Sequence, residues 1–217
     1  MSTEAIEKRY SSLAQSTCCL SCGGAIDRAQ VKKGDICLDL GSGRGTDAVR
    51  LAEKTGSQGF VYGVDVSSGM IEKARELKEK TGTTNVEFIQ SALEKIPLPG
   101  SSIDLVISNC TINHAEDKNM VWSEIFRVLK PGGSFVISDI YALGEVPEIY
   151  RNDPLLVAEC WAGSDTKTVY LERLNICGFT GITIIEESEP YDKGKIKTVS
   201  FTICGRRPEK CCYPDQQ

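Results

Sequence analysis

The sequence has no basic run, no long apolar stretch and no internal repeat, and each absence narrows what the chain does. Twenty-five Lys and Arg against thirty Asp and Glu give a net charge of -5. Lys193, Lys195 and Lys197 alternate with Gly and Ile and read as solvated hairpin positions. No nucleic-acid face or membrane patch is expected, and a small-molecule substrate is favoured. The first thirty residues carry neither a long apolar segment nor a small-residue cleavage site behind a basic start. No signal peptide or membrane anchor is therefore expected, and the protein is placed in the cytoplasm. With no low-complexity tract or interdomain linker, 217 residues suit one α/β domain with a sizeable core. Histidine is nearly absent; His114 stands alone and is expected to be solvated or structural, with no catalytic role.

Cysteine, by contrast, is abundant: Cys18, Cys19, Cys22, Cys37, Cys110, Cys160, Cys177, Cys204, Cys211 and Cys212. Without a secretory signal these thiols are expected to be largely reduced, which leaves thiol chemistry, metal or metalloid binding, or burial. Cys37 sits in the apolar run Ile36-Cys37-Leu38 and Cys177 ends a helical pattern, so both are expected to be buried as small hydrophobes.

Strand and helix patterns alternate along the chain. Ile36 to Leu40 is an apolar run ending in glycines, and Thr46 to Lys54 then places Ala48, Val49 and Ala52 at helical spacing. Phe60 to Asp65 is a second strand, followed by a helix that Ser67-Ser68 can cap and that carries Met70, Ile71, Ala74 and Leu77. Asn85 to Gln90 and Ile103 to Ser108 are the third and fourth strands, the latter apolar enough to be buried on both faces. A helix over Lys118 to Leu129 stops at Pro131-Gly132-Gly133, ahead of the strand Phe135 to Ser138. Tyr141 to Asp165 is an irregular insertion suited to a lid or substrate segment. A helix over Thr168 to Cys177, with Gly178 as its cap, leads to two strands, Ile182 to Glu187 and Thr198 to Cys204, joined by a polar turn over Tyr191 to Lys195. The pattern predicts a mainly parallel seven-stranded sheet with helices on both faces and a terminal antiparallel hairpin. Its units are an N-terminal cysteine-containing arm (1–33), the domain proper (34–207) and a cysteine-containing tail (208–217).

Asp39-Leu40-Gly41-Ser42-Gly43-Arg44-Gly45 joins a strand to a helix, where glycines let the backbone approach a ligand and helix N–H groups point outward. A dinucleotide fingerprint would need glycine where Thr46 stands, which argues against a nicotinamide cofactor. Asp65 ends the second strand, where a carboxylate can accept from both ribose hydroxyls or cap the next helix.

Together with Gly63-Val64-Asp65, Ser108-Asn109 and Val128 to Gly133, this turn resembles the class I S-adenosylmethionine-dependent methyltransferases, a Rossmann-like fold, over most of residues 34 to 140. The resemblance implies S-adenosylmethionine as cofactor. By it, Gly41, Ser42, Gly43 and Gly45 hold the methionine part, Asp65 the ribose and Met70 the adenine region, with Asp39, Val66, Ala92, Leu93 and Asn109 in the same site. No acid stands near Ser91-Ala92, where such enzymes often place one for the adenine amino group.

Within that superfamily, Ser108-Asn109-Cys110-Thr111-Ile112-Asn113 followed by Asp117-Lys118 looks like the arsenite methyltransferases. Asp139-Ile140, Cys160 with Ala162-Gly163, and Cys18-Cys19 behind Tyr10 match in the same order. The chemistry suits the residues, because trivalent arsenic is soft and thiophilic and three thiolates leave its lone pair free to attack a methyl group without a general base. The resemblance implies Cys110, Cys160 and Cys18 or Cys19 as arsenic ligands and catalytic residues, with Asn109 and Asn113 positioning the loop. The expected substrate is arsenite or its thiol conjugates, with a thiol reductant such as glutathione or thioredoxin. Many members carry more sequence after the core, so the accepted methylated species is expected to differ.

Other readings stay open. Cys19-Leu20-Ser21-Cys22 with Cys211-Cys212 is a possible zinc set, and the latter pair alternatively an arsenite-capturing one. Cys110 and Cys160 also suit plain packing, the latter beside Trp161. A quinone-type methyltransferase acting on carbon or oxygen would want a proton acceptor, for which Glu116, Asp139 and His114 are the candidates. A metalloid-binding protein without turnover is the third reading.

Overall fold

The computed structural model describes residues 2–14 and 23–209. Its helices are α1 (Ser2–Leu13), α2 (Ala25–Arg28), α3 (Thr46–Thr55), α4 (Ser68–Thr81), α5 (Lys118–Val128), α6 (Glu148–Arg151), α7 (Pro154–Val157) and α8 (Lys167–Ile176). The strands are β1 (Ile36–Leu40), β2 (Phe60–Asp65), β3 (Val86–Gln90), β4 (Ile103–Asn109), β5 (Leu129–Ala142), β6 (Thr180–Glu187), β7 (Tyr191–Lys193) and β8 (Ile196–Arg206).

All eight strands belong to one sheet in the order β3-β2-β1-β4-β5-β8-β6, with β7 paired to β8 outside that path. The first five strands run parallel, and β8 enters antiparallel between β5 and β6. The seven-strand expectation holds for the path. The eighth strand is the correction: Tyr191–Lys193, expected as a turn, pairs with Ile196 to Thr198 around Gly194. Strand β5 also extends well beyond Phe135 to Ser138, because its later residues keep pairing with β8 through Ala142.

Both sheet faces are covered. Successive residues of β4 alternate between two cores: Leu105 and Ile107 join Cys37, Leu51 and Ile71 under α3 and α4, while Val106 joins Leu38, Trp122 and Leu174 under α5 and α8. A strand buried on both sides reads as a continuous apolar run, which is why Ile103 to Ile107 carries little polarity. Helix starts follow the capping chemistry: the side chains of Ser67, Asp117 and Thr166 accept from the N–H groups of Met70, Met120 and Val169. Cys37 is fully buried as expected; Cys177 is only half-buried, since the end of α8 lies open to solvent. No helix of the described residues is long and apolar enough to cross a membrane.

The strand order reverses at β1, which has β2 on one side and β4 on the other. That leaves a crevice beyond the carboxyl ends of β1 and β4, where open α/β sheets bind ligands. The insertion after β5 (α6, α7 and the 3-10 turn Trp161–Gly163) folds back over this end. It is pinned by buried Asp165, whose carboxylate meets Arg173 Nε at 2.9 Å and the Lys118 and Arg151 cations at 3.6 Å.

Candidate functional site

The turn after β1 is built by its backbone. Gly41, Gly43 and Gly45 all take positive φ (75°, 51° and 80°), and the N–H groups of Gly41 and Ser42 donate to Val64 O at 2.7 and 3.0 Å, tying the turn to β2. Asp65 completes it: Oδ2 accepts from Gly43 N and Oδ1 from Ser67 N, each at 2.9 Å. Burial raises the Asp65 carboxyl pKa while these N–H groups oppose the shift. Asp39 is buried beneath the turn and accepts from Ala48 N. Burial, reinforced by Asp47 and Asp65 nearby, raises its carboxyl well above the usual range.

The end of β4 supplies the next wall. Asn109 Nδ2 donates to Asp47 at 3.0 Å and Asn109 Oδ1 accepts from Ala25 N at 3.2 Å, so this amide ties α2, α3 and β4 together. Cys110 follows with φ 50°, its N–H donating to Ser138 O at 2.8 Å. Asn113, fully buried, donates to Asp139 Oδ1 at 2.8 Å and Ile140 O at 2.7 Å, holding the loop against β5. The insertion brings Cys160 to the same place: its Sγ lies 3.8 Å from Cys110 O and 3.9 Å from Asp139 Oδ1. Cys160 takes φ 77° and ψ -41° ahead of the 3-10 turn. Gly163 allows the approach, since a Cβ there would collide with Asn113 O.

Over both walls lies α1, which packs against α4 and α7. Ser11 Oγ is 2.9 Å from Ser67 Oγ, Arg44 donates to Leu13 O at 2.7 Å, and the Tyr10 hydroxyl is 2.9 Å from His114 Nε2. Together they enclose a cavity of about 500 Å³, lined by the glycine turn, Asp65, Val66, Met70, Ala92, Leu93, Asn109, Cys110 and Cys160, and closed by Ile6, Tyr10 and Leu13.

Comparison with known proteins matches this arrangement. A methyltransferase-domain family covers residues 31–195. The arsenite methyltransferase of Halobacterium salinarum is 37% identical over 201 residues, 88% of this chain and 51% of that relative. The crystal structure of CrArsM, an arsenic(III) S-adenosylmethionine methyltransferase from Chlamydomonas reinhardtii, is 31% identical with a TM-score of 0.73, covering 96% of this chain and 74% of that one. The chain belongs to the arsenite methyltransferase family. It spans about half the length of that Halobacterium relative. A ubiquinone/menaquinone biosynthesis C-methyltransferase of Xanthomonas oryzae pv. oryzae matches less of the chain, 37% identity over 109 residues or 50% of it.

The residues fit the cofactor of an arsenite methyltransferase. S-adenosylmethionine carries an ammonium and a sulfonium, and Asp39, Asp47 and Asp65 line one part of the cavity. A cation among these acids offsets the repulsion that adds to the burial-driven rise of Asp39. A Cβ on Gly43 would enter open space, so the turn backbone there borders room for a ligand.

Most positions expected in an arsenite methyltransferase site line this cavity, with three differences. Gly45 does not line it; it stands behind the turn, where a Cβ would meet the Phe88 ring at 2.5 Å, so its constraint is packing. Lys193, expected to be solvated, lines the cavity from β7. Cys18, Cys19, Cys22, Cys211 and Cys212 lie outside the described residues, and with them the third arsenic ligand, the zinc set and the capturing pair; no cluster able to hold a metal ion occurs among the described residues. Sequence reasoning missed the lining residues of α1 and Glu94. Glu94 stands just past the position where an acid was sought, and its Oε1 accepts from Glu116 N at 2.9 Å. An alignment of apolar positions Ile6, Tyr10 and Leu13 at helical spacing was the available signal for α1.

Proposed function

We propose that this chain methylates trivalent arsenic held by cysteine thiolates, using S-adenosylmethionine and releasing S-adenosylhomocysteine. The observation that carries the reading is the convergence of Cys110 and Cys160, from elements fifty residues apart, on the cavity that the glycine turn opens into. When bound, S-adenosylmethionine supplies an electrophilic methyl group. The chain's own part is binding, orientation and exclusion of water. In this reading Asp65 takes the ribose hydroxyls, Gly41 to Gly43 with Asp39 the methionine end, and Met70, Val66, Ala92 and Leu93 the adenine.

Cys110 and Cys160, with Cys18 or Cys19 of the arm, bind arsenite by displacing its hydroxyls. Each thiol proton leaves with a hydroxide as water, so the thiolates reach the metalloid without a net charge on the protein. The bound arsenic keeps its lone pair and is itself the nucleophile, so methyl transfer asks for no general base. Glu116 and Asp139 do not line the cavity, and His114, which does, has both ring nitrogens engaged. The quinone-type C-methyltransferase matches less of the chain than the arsenite methyltransferases do, which favours arsenic over a carbon acceptor. Tyr10 and Ile6 of α1 keep bulk water from the reacting centre. A small thiol such as glutathione, or thioredoxin, keeps the cysteines reduced in the cytoplasm and presents arsenite as a thiol conjugate.

The test is incubation of the full chain with methyl-labelled S-adenosylmethionine, arsenite and a thiol, followed by arsenic speciation. Labelled methylarsenic is expected. Arsenite binding without methylarsenic would show a binding protein instead, and label in a quinone-like acceptor but not in arsenic would show a carbon or oxygen methyltransferase.

A further inference from the structure

The chain's single histidine has no part in the chemistry above, yet it is one of its most constrained side chains. His114 is 5% exposed and ends the 3-10 turn Ile112–His114, four residues beyond Cys110. Its Nδ1 is 3.0 Å from Val157 O and its Nε2 is 2.9 Å from the Tyr10 hydroxyl. A carbonyl only accepts, so Nδ1 carries the proton and Nε2 accepts from Tyr10 O–H. That is the neutral ring. Burial holds it so by pushing the pKa down to about 4, opposed by the Val157 carbonyl and aided by the cations of Arg9, Lys193 and Lys118.

The same Val157 carbonyl also accepts from the Cys160 N–H at 2.9 Å. One continuous chain of hydrogen bonds therefore runs from Tyr10 on α1, through His114 beside the Cys110 loop, to Val157 and the backbone of Cys160. Its first member helps line the cofactor cavity, and its last carries a thiol in a positive-φ conformation that its surroundings must hold. The Tyr10 and His114 rings also pack edge to face, with centroids 5.4 Å apart.

We propose that His114 is a positioning residue that couples the seating of α1 over the cofactor cavity to the backbone geometry of Cys160, so that a filled cofactor cavity sets the thiols for arsenic. This rests on the arsenic-binding reading of Cys110 and Cys160. An apolar residue of similar size would fill the space but leave the Tyr10 hydroxyl and the Val157 carbonyl unlinked.

The experiment is arsenite titration of the full chain by calorimetry, with and without saturating S-adenosylhomocysteine, for wild type, Tyr10→Phe and His114→Leu. In wild type, S-adenosylhomocysteine is expected to tighten arsenite binding by about fivefold or more, and arsenite to tighten S-adenosylhomocysteine by the same factor. In both variants that factor falls to within about twofold of one, while each still melts cooperatively. A purely structural histidine would lower both affinities or the melting temperature and leave the factor unchanged. That result, or a wild-type factor of one with arsenite bound, overturns the proposal. If wild type binds no arsenite, the arsenic reading fails and this inference with it, a result distinct from binding without coupling. Should His114→Leu fail to fold, Tyr10→Phe, which removes one oxygen, decides the question.

Discussion

The two walls of the cavity solve one backbone problem in opposite ways. The turn after β1 needs positive φ at three positions and has glycine at each, whereas the thiol wall has positive φ at Cys110 and Cys160. On the cofactor side the backbone itself makes the site, so nothing is lost by omitting side chains. On the thiol side the proposed ligand is the side chain, and the strain of an L-residue at φ 77° is held by the hydrogen bonds and packing around it.

The contrast can be broken most sharply at the thiols. Cys160→Ser, isosteric but without a soft ligand, should lower arsenic methylation by more than about 100-fold while S-adenosylhomocysteine binding stays within about threefold. Full methylation by this variant would remove the thiol wall from the mechanism. Behind the other wall, Gly45→Ala should lose about 2–4 kcal/mol in denaturant unfolding, from the left-handed conformation and overpacking against Phe88. A loss below half a kilocalorie would mean the turn is more plastic than its geometry.

Between the walls, His114 offers a pH handle that no other histidine obscures. Its folded pKa of about 4 lies below the ordinary 6.5. Its neutral folded form is matched by a neutral unfolded form above pH 6.5. As pH falls from there towards 4, the unfolded chain takes up the proton first and the folded state loses stability, by up to about 1.4 kcal/mol per pH unit. The difference in unfolding free energy between wild type and His114→Leu should follow that slope, and a flat difference across the window would contradict it. The smallest effect compares two replacements at one strained site: Cys160→Gly should be more stable than Cys160→Ala by about 1 kcal/mol, measured by denaturant midpoint. The reverse order would show that Cys160 is not strained.

Much of the fold was legible because alternating patterns of period two and 3.6 are local. Ile36 to Leu40, Phe60 to Asp65 and the Ser67-capped helix fall where their residues imply. Tyr191 to Lys193 did not, since a short polar edge strand has no apolar alternation and exists only because β8 offers it partners. Gly45 was legible as glycine but not as a packing residue; the Phe88 ring that forbids a side chain there arrives from β3, over forty residues away. Lys193 likewise read as solvent-facing because nothing nearby in sequence announces a cavity.

The sequence by itself determined the cofactor turn, the acid at the end of β2 and the set of thiols, since these depend on residue type at short spacing. Only the tertiary structure decided that Cys160 reaches Cys110, that α1 covers the cavity, and that His114 is buried as a neutral bridge between them. Each of those is a contact across more than thirty residues, set by how the insertion and the first helix fold back onto the sheet, and local pattern carries no record of it.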